Sequence, residues 1–259
     1  MHSSAAIREA LRRGEASVGT WLQIPSPDVA EIIGRMGYDW AAVDMEHGSF
    51  SRTDLPDVFR ALERWGTLPF ARLPQADLRN IKDALDSGAQ GLVFPMIETR
   101  EQLDAAIAHA LFPGGREFSG GRRGVGFSRA NGFGLDFPNY VNPESGTAKD
   151  IVLVAQIEHV NALEHLDAIF SHPRLDAYMI GPYDLSASMG LTARFDAPEF
   201  LAAIRRIEDA AAACKLPKGY HVVAPQPENL RQKIAEGYTF IAYGIDALFL
   251  QTGAVRPKS

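Results

Sequence analysis

Cysteine is nearly absent. Cys214 is the only one in 259 residues, so no disulfide can form within the chain. No Cys or His spacing suits a structural zinc site. Flanked by Ala211, Ala212 and Ala213, Cys214 reads as a small apolar helix residue, and a reducing, cytoplasmic setting is expected. Lysine is scarce as well. None of the six (Lys82, Lys149, Lys215, Lys218, Lys233 and Lys258) follows an apolar strand-like run, where a Schiff-base amine would stand. Imine-forming chemistry is therefore disfavoured. Gly-x-Ser-x-Gly is missing, so a nucleophilic serine lacks its strand-to-helix elbow. No glycine-rich phosphate turn follows the first strand, and Gly124-Val125-Gly126 does not open a strand–helix unit. No run approaches the roughly 18 apolar residues of a membrane span, and residues 1–13 read as a short amphipathic helix rather than a signal peptide. Net charge is -6 with no block of like charges, which gives no support for a nucleic-acid partner. Arg122-Arg123 is the densest basic spot, enough for one small anion.

What is present is an ordinary globular balance, 46% apolar and 22% charged, arranged in a repeat. Short apolar runs predict strands over 18–22, 40–45, 68–73, 91–96, 151–158, 177–181, 218–223 and 240–244. Helical patterns separate them over 28–37, 53–65, 77–87, 99–110, 160–170, 198–214 and 228–236, and a last helix starts near 245. Eight strands alternating with helices predict one (β/α)8 barrel spanning residues 1–259, with an open doubly wound sheet as the competitor. A section over about 112–150, rich in Gly, Arg, Phe and Asn, breaks the alternation. A loop that long inside a compact domain is commonly functional. It is expected to hang over the catalytic face as a lid, with a plain surface excursion as the alternative.

In such a barrel, chemistry gathers where strands end. Glu158 and Asp184 close strands five and six, with Gln156 alongside. Two converging carboxylates repel unless a proton or cation relieves them. An all-oxygen pair with open positions suits Mg²⁺ or Mn²⁺; the alternative is a pair of loop caps. His47 follows strand two in Val43-Asp44-Met45-Glu46-His47-Gly48, where an imidazole suits proton transfer near neutral pH. Arg72 closes strand three, placed either to stabilise negative charge on an oxygen or to pair with Asp44 or Glu46. His109, His159, His165 and His172 read as surface or cap residues, and His221 as a buried strand residue.

These residues resemble the HpcH/HpaI family of class II, metal-dependent pyruvate aldolases over nearly the whole chain. The likeness is carried by Gly19-Thr20-Trp21, Asp44 to Gly48, Ala71-Arg72, Leu85-Asp86-Ser87-Gly88-Ala89-Gln90-Gly91 and Pro95-Met96. It continues through Arg123-Gly124-Val125-Gly126, Gln156-Ile157-Glu158 and Gly181-Pro182-Tyr183-Asp184 to Gly190. The resemblance implies a phosphoenolpyruvate/pyruvate-type (β/α)8 barrel whose last helix is exchanged between subunits, usually of a hexamer. It places a divalent ion (Mg²⁺ or Mn²⁺, with Co²⁺ also acceptable) on Glu158 and Asp184. His47 matches the catalytic base and Arg72 the group that holds the keto oxygen. Trp21, Gln156, Arg123 and the amides around Gly181 and Tyr183 are expected at the substrate. Asp86 matches an acid that pairs with the histidine. It falls late in a helix, at the wrong end of its own barrel, so either it reaches His47 of a neighbouring copy or it is a helix-end surface acid.

The implied reaction is reversible cleavage of a 4-hydroxy-2-oxo acid to pyruvate and an aldehyde. A related lyase or decarboxylase acting on a citramalyl, malyl or oxaloacetate substrate shares the same enolate chemistry. A non-catalytic pyruvate-binding oligomer is the third reading. Tyr183 stands where many members carry a smaller residue, and 113–136 departs from the commoner pattern, which leaves the aldehyde open.

Overall fold

The structure, a computed structural model, describes residues 3–256. Eight parallel strands close in sequence order into a barrel: β1 (Ser17–Leu22), β2 (Trp40–Asp44), β3 (Leu68–Arg72), β4 (Gly91–Phe94), β5 (Val152–Ile157), β6 (Ala177–Ile180), β7 (Lys218–Val222) and β8 (Tyr238–Ile245). The open-sheet alternative is excluded by the pairing of β1 with β8. The outer helices are α2 (Pro27–Gly34), α3 (Leu55–Glu63), α4 (Leu78–Asp86), α5 (Arg100–Ala110), α7 (Leu166–Phe170), α9 (Pro198–Ala213) and α10 (Pro227–Ala235), preceded by α1 (Ser4–Arg12). Local chemistry sets their starts. Ser26, Asp77 and Thr99 accept first-turn N–H groups from Val29, Asn80 and Gln102, and Thr99 with Gln102 forms a reciprocal capping box.

Strand alternation splits the core in two. Inward residues Trp21, Trp40, Phe70, Val93, Val154, Met179 and Phe240 fill the barrel, while outward ones such as Val43, Leu92 and Ile157 pack under the helices. Trp40 is stacked between Phe70 (ring centroids 5.3 Å apart) and Phe240 (4.5 Å). Glycine makes room for them. A Cβ on Gly19 would lie 2.0 Å from the Trp40 ring, and one on Gly91 2.4 Å from Phe70. Ile7 and Leu11 of α1 join the inner cluster and plug the N-terminal end of the barrel. Arg8 of α1 donates to Asp176 at 2.7 Å, and Arg174 donates to the other oxygen of the same carboxylate at 2.7 Å.

The section after α5 overturns the lid expectation. The chain leaves β4 and first runs down α5, whose 11 residues carry it roughly 16 Å back towards the N-terminal end. Only then does the irregular stretch begin. It holds α6 (Phe137–Val141) and two 3-10 turns, Arg129–Gly134 and Thr147–Asp150. Its contacts lie at the N-terminal end: Arg129 donates to Ser87 O at 2.8 Å, and Glu117 accepts from Arg8 and Arg12. It therefore stands at the face opposite its own strand ends. The sequence pattern places the segment after strand four, but the intervening helix turns it to the other pole.

One smaller difference arises near β6. A short helix not expected from sequence, α8 (Pro182–Ser188), directly follows it. The last helix, α11 (Asp246–Gly253), starts at once after β8, and its Asp246 accepts from the Gln23 and Ile24 amides at 2.9 and 3.0 Å. No helix among the described residues is long and apolar enough to cross a membrane.

Candidate active site

Asp44 is the fixed point of the site. It ends β2 facing inward and is fully buried. Arg72, at the end of the adjacent β3 and in register with it, donates to both carboxylate oxygens, from Nε at 2.9 Å and from Nη2 at 2.6 Å. Gln23 Nε2 donates to Asp44 at 2.9 Å, and the Glu46 and His47 amides at 3.2 and 3.1 Å. Burial pushes the Asp44 carboxyl up, but hydrogen bonds and charge from Arg72 overcome it and hold the group below the usual carboxylate range. Both sequence readings of Arg72 are thus compatible: it is paired, and pairing aims it. The guanidinium lies 4.7 Å over the ring of Trp21. Trp21, expected to touch substrate, is 2% exposed and serves as the floor under Arg72.

A second acid group is left unpaired. Glu158 follows β5 and is 1% exposed. Its carboxylate accepts from the Met96 amide at 2.7 Å and from Gln156 Nε2. Burial, with Glu46 and Asp184 adding to it, pushes this carboxyl up to about 7 against the pull of the Met96 amide and Arg72. Burial likewise raises Glu46, whose Oε2 stands 3.5 Å from Arg72 Nε and 3.9 Å from His47 Nε2. Gln156 Oε1 and Glu46 Oε2 are buried without a hydrogen-bond partner. Buried acceptors with no donor are costly unless something positive faces them. Asp184, in the first turn of α8, is exposed at the same end. Among the described residues no group of three or more His, Cys, Asp or Glu side chains is placed to hold a metal. The unpartnered oxygens of Gln156 and Glu46 beside Glu158 are the kind of donor a hard cation takes.

Gly181 differs from expectation. Its N–H is taken by Ile157 O at 3.1 Å and is not free for a ligand. Its contribution is space, since a Cβ there would lie 2.4 Å from Glu158 Oε2 and 3.0 Å from Gln156 Nε2. The neighbouring Tyr183 packs edge-on against Phe195 and is exposed. His47 is exposed at 57% of its side chain, open to solvent and to any second chain.

Asp86 and Arg123 lie elsewhere. Asp86 ends α4, pairs with Lys82, and stands 3.5 Å from Arg123 Nη2. Arg123 is buried between the rings of Phe112 and Tyr140 and donates to Tyr140 Oη at 3.0 Å. Within one chain Arg123 is not at the Glu158 site, because the segment that carries it sits at the other pole. His172 also departs from expectation: it is buried rather than superficial, and its Nδ1 accepts from the Arg174 amide at 3.0 Å. Sequence reading missed Gln23 and the Met96 amide. Both follow strand ends, the same signal that marked Glu158.

With this geometry in view, residues 17–251 match the family model described as HpcH/HpaI aldolase/citrate lyase. The chain belongs to the HpcH/HpaI aldolase/citrate lyase family. It is 35% identical over 256 residues to a 4-hydroxy-2-oxovalerate aldolase of Novosphingobium aromaticivorans, covering 96% of this chain and 91% of the relative. It is 34% identical to a 2-keto-3-deoxy-L-rhamnonate aldolase of Escherichia coli (strain K12), covering 95% and 88%. The crystal structure of a family protein from Burkholderia cenocepacia J2315 superposes with a TM-score of 0.88 at 29% identity, over 96% of each chain. This HpcH/HpaI member is accordingly a carbon–carbon lyase of the class II aldolase type, and it calls for a divalent cation.

Proposed function

We propose that the protein reversibly cleaves a 4-hydroxy-2-oxo acid into pyruvate and an aldehyde at the β2–β3–β5–β6 strand ends. The observation that carries this reading is Glu158, a buried carboxylate beside Glu46 and Asp184, with the orphaned Oε1 of Gln156 next to it. Glu158 and Asp184 would hold Mg²⁺, Mn²⁺ or Co²⁺, which supplies the positive charge that polarises a 2-oxo group. The remaining work falls to side chains and amides. Arg72, locked by Asp44, faces the 2-oxo oxygen with a guanidinium already oriented, so no reorganisation is needed as negative charge develops. The amides of Tyr183 and Asp184 open α8 and have no partner among the described residues, which suits a substrate carboxylate. His47 takes the proton of the 4-hydroxyl, the C3–C4 bond breaks, and its electron pair passes to the three-carbon half. The aldehyde leaves, and C3 regains a proton.

Asp86 cannot orient His47 of its own chain, because the two stand at opposite poles of the barrel. We infer that it does so for a second copy, in a hexamer. Support comes from the surface next to the α4 end, where Val125, Phe127, Phe133 and Leu135 are 60%, 75%, 70% and 91% exposed. Burial against another chain would remove that apolar area from water. Exchange of α11, whose Leu250 is exposed, belongs to the same assembly, and one free cysteine suits the cytoplasm.

The test is turnover of pyruvate with a series of aldehydes under a Mg²⁺, Mn²⁺ and Co²⁺ series, read by product mass. A new 4-hydroxy-2-oxo acid is expected, and its loss on chelation. Absence of any aldehyde-dependent product, with oxaloacetate or a malyl substrate cleaved instead, would replace this reading by the related lyase.

A further inference from the structure

His221 is a histidine the mechanism above does not use. It lies on β7, four strands round the barrel from β3, and so closes the wall opposite Arg72. Its ring meets Trp21 edge-on at 5.7 Å, and the same indole carries the Arg72 guanidinium at 4.7 Å. Trp21 thus lies between Arg72 and His221 and links the two. It is half-buried and lines, with Tyr183, Phe195, Val222 and Val223, an open cleft of about 390 Å³ beside α8.

The protonation of the ring is decided by its surroundings. Burial drives the imidazole down to about 4, and the nearby Arg72 charge acts in the same direction, so it is neutral at working pH. Nε2 stands 3.3 Å from Gly244 O. A carbonyl oxygen can only accept, so Nε2 carries the proton and Nδ1 carries the lone pair. Nδ1 has no hydrogen bond among the described residues. The outcome is a fixed acceptor in the wall of a cleft that Pro182 and Tyr183, at the start of α8, also line.

We propose that His221 is a specificity-determining residue that accepts a hydrogen bond from a substrate hydroxyl beyond those the cleavage itself requires. This rests on the aldolase reading. It makes hydroxyl-bearing substrates the preferred class, with the hydroxyl on either the donor or the aldehyde. A site built to bond a hydroxyl discriminates against the analogue that lacks it, because the acceptor then loses that partner.

The test pairs substrates that differ by one hydroxyl. One arm compares 3-hydroxypyruvate with pyruvate, both with acetaldehyde. The other compares glycolaldehyde with acetaldehyde, both with pyruvate. In the native protein with Mn²⁺, kcat/KM is expected to favour the hydroxylated partner in one arm, which identifies the source of the hydroxyl. His221→Phe and His221→Leu, of different size, should each cut that ratio by roughly tenfold or more, whereas His221→Gln, which retains an acceptor, should keep part of it. A merely structural role would lower both members of a pair together and leave the ratio unchanged. An unchanged ratio in both arms overturns the proposal while the aldolase reading stands. Absence of turnover with every pair overturns the aldolase reading.

Discussion

The two poles of this barrel both carry buried charge and treat it in opposite ways. At the N-terminal pole, Asp176 accepts from Arg8, Arg174 and the Leu153 amide, and Arg174 also donates to Lys149 O at 2.9 Å. Each charge of this network has its counterpart, and the network ties α1 across the barrel floor. At the C-terminal pole, Asp44 is equally well matched, but Glu158, Glu46 and Asp184 are gathered with acceptors to spare. A matched network holds a fold together. An unmatched one waits for a cation and a substrate, and it lowers the stability of the empty protein.

The difference can be broken from either side. The largest effect is expected for Glu158→Gln, which should cut kcat/KM by at least roughly a thousandfold, several kcal/mol of transition-state stabilisation. The same change should leave the melting temperature of the metal-free protein unchanged or higher; a marked loss of stability would mean that Glu158 is a structural cap. Asp176→Ala does the converse. It strands Arg8 and Arg174 in the interior and should cost about 3–5 kcal/mol in denaturant unfolding, with kcat per folded molecule preserved. Loss of kcat without loss of stability would reverse the roles assigned to the two poles.

Acidity sharpens the contrast. A Glu158 carboxyl raised to about 7 from an ordinary 4.5 binds its proton more tightly folded than unfolded. Its stabilising effect is complete below pH about 4.5 and lost as pH rises through about 7, a swing on the order of 3 kcal/mol. Metal-free protein should therefore melt lower at pH 8 than at pH 5.5, and Mn²⁺ should narrow the gap by binding the carboxylate. A flat profile without metal would show that Glu158 is ordinary. The smallest of these effects is expected for Arg72→Lys. The lysine keeps the charge but cannot grip both oxygens of Asp44, so kcat should fall about a hundredfold with KM for pyruvate changed much less.

How far the sequence reaches is clear from particular residues. The strand-end positions of Glu158, Asp184, Arg72 and His47 were legible because strand ends are marked by local pattern, and barrel closure brings those ends together. Gln23 and the Met96 amide were missed, although each follows a strand end, because nothing in their residue type announces a role. Gly181 was assigned an amide contact, yet its N–H closes onto Ile157 and its missing side chain is what matters. The 112–150 segment was placed at the wrong pole, because a loop rich in arginine looks the same whichever end of a helix releases it.

By itself the sequence determined the eightfold alternation, the single cysteine that rules out an intrachain disulfide, and the residue types available at each strand end. These are properties of periodicity and composition, which act over a few residues. Only the tertiary structure decided which of those residues are matched and which are left wanting. Asp44 owes its counter-charge to a guanidinium 28 residues away, and Glu158 has only neutral donors, one of them an amide 62 residues away. Such separations are bridged by strand register and barrel closure, and electrostatics in a buried site follows distance in space rather than along the chain.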